Sequence, residues 1–235
     1  MKKTFFLITA LLMISVGYSQ TAEEYLAQGN AKYALLDNKG AIADYTKAIE
    51  INPGTGEAFY NRGLAKYNLQ DNNGAIADYT SAIEINPVNA DAFYNRALVK
   101  GILQDFKGSI ADYTKALEIN PMNADAYNNR GFIKKNLKDY TGAIDDYTKA
   151  IAINPVYALA YNNRGIAKNE LKDFSGAIDD FTKMIEFYPE NAEVYYNRAI
   201  AKIALDMKVS GCVDLNKAKE LGDKNADDLI KKHCK

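Results

Sequence analysis

The stretch that decides the fold is residues 56–89, GEAFYNRGLAKYNLQDNNGAIADYTSAIEINPVN. It returns with small changes along most of the chain. Five prolines set its register: Pro53, Pro87, Pro121, Pro155 and Pro189, each 34 residues after the last. A fixed period of that size marks a solenoid, whose units cannot bury their apolar faces alone and must stack. Two helices are readable within the unit. Phe59 and Gly63 stand four apart, with Leu69 beyond. Ala75, Tyr79 and Ala82 follow at spacings of four and three, one stripe of a 3.6-residue helix. Gly63 costs about 1 kcal/mol against alanine inside a helix, so the close approach of a neighbouring helix is expected there. Asp71 falls in the turn, where its carboxylate can cap the second helix. Pro87 cannot continue that helix.

The same slots recur. A small residue stands in the first helix at Gly29, Gly63, Ala97, Gly131, Gly165 and Ala199, each preceded by an aromatic: Tyr25, Phe59, Phe93, Tyr127, Tyr161 and Tyr195. The second helix repeats small–aromatic–small, as in Ala41-Tyr45-Ala48 and Ala143-Tyr147-Ala150. The pattern resembles the tetratricopeptide repeat (TPR), a helix-turn-helix unit with aromatic, Gly, Ala, aromatic, Ala and Pro at these places. It covers residues 22–191 fully and weakens after 192. Departures are Gln28 where later units carry arginine, Met184 for alanine, and Tyr188 before Pro189. The resemblance implies an all-α solenoid, a right-handed superhelix of antiparallel helix pairs, and an exported bacterial member of the family. The expected units are 22–55, 56–89, 90–123, 124–157 and 158–191, then a degenerate sixth at 192–225 and a capping helix at 226–235.

Residues 1–19 have another character. Lys2 and Lys3 precede an apolar run from Phe5 to Val16, and Gly17-Tyr18-Ser19 follows. This is the pattern of a secretory signal peptide, with cleavage expected between Ser19 and Gln20 and export to the periplasm or beyond. The run is shorter than the roughly 20 apolar residues of a membrane span. An uncleaved anchor helix is the competing reading. Loss of Lys2 and Lys3 from a chain of formal charge −1 leaves −3, which does not point to nucleic acid. At the other end, Asp206 to Ser210 replaces the usual turn, a last second helix is expected from Gly211, and Ala226 to His233 reads as an extra helix.

Cys212 and Cys234 are the only cysteines. In an exported protein a lone even pair is more often a disulfide than two free thiols, so a Cys212–Cys234 bond is expected. His233 is the only histidine, which leaves histidine-based catalysis and a zinc site almost without candidates. No phosphate loop, dinucleotide turn or nucleophile elbow occurs. The chain therefore reads as no enzyme, without catalytic residues, metal or cofactor. The acids Asp44, Asp78, Asp112, Asp146, Asp180 and Asp214 recur once per unit, as do Arg62, Arg96, Arg130, Arg164 and Arg198. A buried arginine must be paired, so a structural Arg–Asp ladder is expected. Lys32, Lys66, Lys100, Lys134, Lys168 and Lys202 are read as stems over apolar surface with solvated ammonium groups.

The resemblance also implies a concave groove lined by first helices that holds a peptide or partner protein. On that geometry the rungs are Tyr60 with Leu64, Tyr94 with Leu98, Asn128 with Phe132, Asn162 with Ile166, and Tyr196 with Ile200. Asn61, Asn95, Asn129, Asn163 and Asn197 sit beside them and offer amides to an extended backbone. Relatives that clamp a carboxylate tail do so with lysine and arginine; here Glu57, Asp91, Asp125 and Glu193 stand near the helix starts. The expected ligand is a neutral or basic extended segment with apolar anchors. A packing role for the rungs across a tight superhelix is the competing reading. The alternative function is a structural, self-associating piece of a cell-envelope assembly, without insertion in the membrane. Light scattering separates the two, since a concentration-independent monomer favours the binding scaffold.

Overall fold

The computed structural model describes residues 20–234, so the expected signal peptide lies outside the described residues. Thirteen helices follow one another, with no strand among the described residues. They are α1 (Ala22–Ala34), α2 (Asn38–Ile51), α3 (Gly56–Asn68), α4 (Asn72–Ile85), α5 (Ala90–Ile102), α6 (Phe106–Ile119) and α7 (Ala124–Asn136). Then come α8 (Tyr140–Ile153), α9 (Ala158–Glu170), α10 (Phe174–Phe187), α11 (Ala192–Ala204), α12 (Lys208–Glu220) and α13 (Ala226–His233). Each helix packs mainly on the helices before and after it, and successive first helices touch more lightly. The interior is consequently a ribbon running the length of the stack.

Local chemistry sets the helix ends. Asp37, Asp71, Asp105, Asp139 and Asp173 each accept a hydrogen bond from the backbone N–H three residues on, at 2.9–3.0 Å. That satisfies one of the orphan donors of each second helix. Gly63 meets its expected neighbour: a methyl group placed there would lie 2.7 Å from the Tyr79 ring of α4. Tyr79 and its equivalents Tyr45, Tyr147 and Phe181 are fully buried in this way.

The residue before each cap is strained. Leu36, Gln70, Gln104, Lys138, Lys172 and Asp206 adopt φ of 59–64°, a left-handed conformation that costs an L-residue roughly 1–2 kcal/mol. Glycine relieves this at some cost in unfolded-chain entropy. Gln70→Gly is expected to stabilise the fold by about 0.5–1 kcal/mol, read as a higher midpoint in urea; an unchanged or lower midpoint would show that the turn carries no such strain.

The C-terminal end differs from expectation in one place. The turn after α11 is as short as the others, so α12 begins at Lys208 and not at Gly211. Met207 stands where the capping aspartate would be, and it makes no side-chain cap. Helix α13 packs on α12, where Leu229, Ile230 and Cys234 adjoin the buried Leu215, Ala218 and Ala226. Cys212 and Cys234 are disulfide-bonded, with Cα atoms 5.6 Å apart. The bond and the helix cover the apolar surface of the last helix pair.

Candidate functional site

Two rows of polar contacts run along the stack, and they do different things. The first is the ladder of recurrent charges. Arg130 of α7 donates from Nε and Nη2 to the two carboxylate oxygens of Asp146 in α8, at 2.9 and 2.7 Å. Its Nη1 reaches back to Thr114 Oγ1 in α6 at 2.9 Å, and its guanidinium lies 5.6 Å from the Tyr127 ring centre. One arginine thus joins three helices of two units. Arg62, Arg96, Arg164 and Arg198 repeat the pattern with Asp78, Asp112, Asp180 and Asp214. Bidentate pairs of this kind are the strong, geometrically selective form of charge pairing. The first unit has Gln28 in the arginine slot, and Asp44 there is paired only with Lys32, at 2.6 Å.

The lysines correct the sequence reading. Lys66, Lys100, Lys134, Lys168 and Lys202 do not hold solvated ammonium groups; each Nζ lies 2.7–2.8 Å from the same carboxylate as the arginine four residues earlier. An ionised carboxylate has acceptor sites for both cations, and four residues along a helix keeps both on one face. The ladder is therefore an Arg–Asp–Lys triad in every unit from the second onward. In each triad one buried carboxylate holds two largely buried cations.

The second row is the groove. Tyr60 and Tyr94 lean on Tyr79 and Tyr113, with ring centres 6.0 and 5.6 Å apart. Leu64 is half-buried in the same cluster as Tyr60. The rung asparagines bond backwards, one unit at a time: Asn61 Nδ2 to Asn30 Oδ1 at 2.9 Å, and Asn95 Nδ2 to the Tyr60 hydroxyl at 3.0 Å. Asn129 Nδ2 reaches the Tyr94 hydroxyl at 3.0 Å, and Asn163 Nδ2 reaches Asn128 Oδ1 at 3.2 Å. The expectation that these amides face a ligand at both donor and acceptor is corrected accordingly: part of the donor capacity is used between units. Asn128 is buried, not exposed in the groove. Tyr60 and Tyr94 accept these bonds and keep their own O–H groups undonated among the described residues. Burial, reinforced by the Asp91 carboxylate, pushes the Tyr60 phenol up to about 12. Burial and Asp125 raise Tyr94 in the same sense. Both are neutral hydrogen-bond donors across the physiological range.

Toward the C-terminal end the row changes. Asn162 Oδ1 is buried without a partner, and the next bond in the series, from Asn197, is not formed. Ile166, Asn197 and Ile200 line a hollow instead, while Tyr196 packs into the terminal cluster. Leu98, Asn129 and Phe132 line another hollow between α5 and α7, together with Gly101, Ile102, Phe106 and Ile133. Sequence reasoning named Leu98, Asn129 and Phe132 but passed over Gly101. Its slot carries Tyr33, Tyr67, Lys135, Asn169 and Ile203 in the other units, and that contrast was the available signal.

Along the rim, Glu57, Asp91 and Glu193 are exposed and form no ion pair among the described residues, and Asp125 accepts from the Tyr157 hydroxyl at 2.6 Å. No group of three or more histidine, cysteine, aspartate or glutamate side chains among the described residues is placed to hold a metal ion. No helix among them is long and apolar enough to cross a membrane.

Comparison with known proteins agrees with this geometry. The structure is similar to that of YrrB, described as a TPR protein with an unusual peptide-binding site: TM-score 0.74, 22% identity, over 80% of this chain and 97% of that one. It is similar to MamA, with TM-score 0.68 and 24% identity over 73% of this chain and 94% of that one. A tetratricopeptide repeat protein from Parabacteroides merdae matches with TM-score 0.69 and 20% identity, over 92% of this chain and all of that one (100%). No curated protein matches the chain. The tetratricopeptide repeat model matches residues 124–157, and a second TPR repeat model matches 29–70, 65–101 and 102–138. With its 34-residue helix pairs stacked in register, the chain belongs to the tetratricopeptide repeat family.

Proposed function

We propose that this protein is an exported, non-enzymatic scaffold that holds an extended segment of a partner protein in the groove of its first helices. The observation that carries the reading is the contrast between the two polar rows. The triads hold their cations on buried carboxylates between the helices, whereas the groove keeps aromatic and aliphatic rungs, undonated tyrosine hydroxyls and a rim of carboxylates. Those groups suit a neutral or basic segment with apolar side chains, bonded through its backbone to Tyr60 and Tyr94. The peptide-binding site described for YrrB supports a peptide segment as the ligand. Export is supported by the basic-then-apolar character of residues 1–19 and by the Cys212–Cys234 bond, since such bonds persist in oxidising compartments.

The test is capture from envelope extract by the wild type and by a Tyr94→Ala, Phe132→Ala double variant of equal helicity. Loss of interface anchors of this kind costs about 2 kcal/mol or more each, so the variant is expected to lose capture at least tenfold. Undiminished capture would place the ligand on another surface.

A further inference from the structure

The hollow between α5 and α7 lies beside a glycine in the last turn of α5. Where Gly63 stands, an added methyl would press on the Tyr79 ring at 2.7 Å; at Gly101 the contacts are milder, the flexible end of Ile133 at 3.2 Å and the buried Ser109 Oγ at 3.3 Å. Glycine inside a helix is nonetheless destabilising. In three other units the same slot holds a large side chain: Tyr33, Tyr67 and Ile203 all pack into their local clusters. Here it leaves an opening of about 250 Å³, walled by Leu98, Ile102, Phe106, Phe132 and Ile133, with Tyr113 among its lining residues. A cavity of about 150 Å³ lined by such residues already admits a benzene ring. Among the described residues the Tyr113 phenol is the one ionisable group that lines it, and the Lys135 ammonium lies 4.6 Å from the ring centre of Phe132 on its wall. The hollow at the equivalent place two units on, about 340 Å³, has Asn169 in the glycine's slot and Glu170 and Lys172 on its wall. The two differ in chemistry more than in size.

We infer that the Gly101 hollow is an anchor subsite for one large apolar side chain, of leucine or phenylalanine type, carried by a basic extended segment of a partner protein. This rests on the groove reading above and adds to it the residue that fixes the ligand's register. The charge follows from the two helices that flank the hollow. Asp91 and Asp125 sit in the first turns of α5 and α7, each exposed and without a basic partner among the described residues, and Asp125 accepts from the Tyr157 hydroxyl. Seven to ten helical residues separate Asp91 from Leu98 and Gly101, about 10–15 Å along the axis. Three to four extended residues span that distance. The recognised pattern is therefore a lysine or arginine with a large apolar residue about three or four positions away.

The test uses acetylated, amidated heptapeptides of the form Lys-Ser-Ser-Ser-X-Ser-Ser, with X as Gly, Ala, Leu or Phe, followed by amide chemical shifts of the full mature protein. The Leu and Phe peptides are expected to bind about tenfold or more tighter than the Gly peptide and to shift the Gly101 amide. Exchange of the peptide's lysine for glutamate is expected to weaken them. Gly101→Leu is expected to bring the Phe peptide to the level of the Gly peptide in a variant that remains folded. Equal binding of all X, or a preference for Phe that survives Gly101→Leu in a folded variant, overturns the subsite. Should the variant not fold, the X series on the wild type decides alone. Shifts at Tyr60 and Tyr94 that are equal for every X keep the groove reading and reject the anchor; no shift at any groove residue with millimolar peptide rejects both.

Discussion

Replacing Asp146 with alanine is expected to cost about 3–5 kcal/mol of stability, the range for stranding a buried charge. The Asp146 side chain is 2% exposed and serves two cations. Its removal leaves Arg130 (12% exposed) and Lys134 (21% exposed) facing each other without a counter-charge. Lysine can swing its ammonium outward. Arg130 is held by Thr114 and stacked beside Tyr127, so it has little freedom to follow. Arg130→Ala should cost less, about 1.5–3 kcal/mol, because Asp146 keeps Lys134. Asp146 lies near the middle of the stack, and the loss should broaden or split the urea transition, since repeat stability is a sum of unit and neighbour contributions. A cost under about 1 kcal/mol, the range of exposed pairs, would show that the triads are solvated and dispensable.

Replacing Cys212 and Cys234 together with serine is expected to cost about 3 kcal/mol, the chain-entropy value for a loop of this length; the two residues are 22 apart in sequence. The effect should be local. Among the described residues helix α13 packs on the terminal cluster it forms with α11 and α12, so its amides should exchange first, followed by those of α12. Exchange in α3 to α8 should be unchanged. Uniform acceleration along the whole chain would contradict a nearest-neighbour solenoid. Unchanged exchange in α13 would show that packing of Leu229 and Ile230 alone holds the cap.

Much of the fold was legible because the repeat prints its geometry many times over. The proline spacing gave the unit, the aspartate before each second helix gave the cap, and the recurrence of arginine and aspartate gave the pairing. The extra helix from Ala226 was visible as apolar Leu229 and Ile230 set among charges. The start of α12 was not, because Met207 lacks the side chain that marks the other caps.

The site was less legible, for physical reasons that differ by residue. A lysine four positions after an arginine shares its face, but periodicity does not say whether the ammonium turns to water or to a carboxylate that already has a partner. The rung asparagines bond residues 31 to 35 positions away. Only the way one unit sits on the next determines that distance. Asn128 reads as a groove residue by its slot, yet it is buried and receives the Asn163 amide. Gly101 was visible as the odd member of its slot. That it opens a hollow depends on Phe106 of α6 and on Phe132 and Ile133 of α7.

The central claim is that the charges hold the stack and the groove does the binding. It is tested most directly by putting two variants through one capture assay, each with its melting curve. Tyr94→Ala with Phe132→Ala is predicted to lose the partner while keeping most of its stability at the assay temperature. Arg130→Ala is predicted to melt earlier yet capture the same partner as the wild type while it remains folded. The opposite pattern, capture lost in folded Arg130→Ala and retained in the groove variant, would contradict the account.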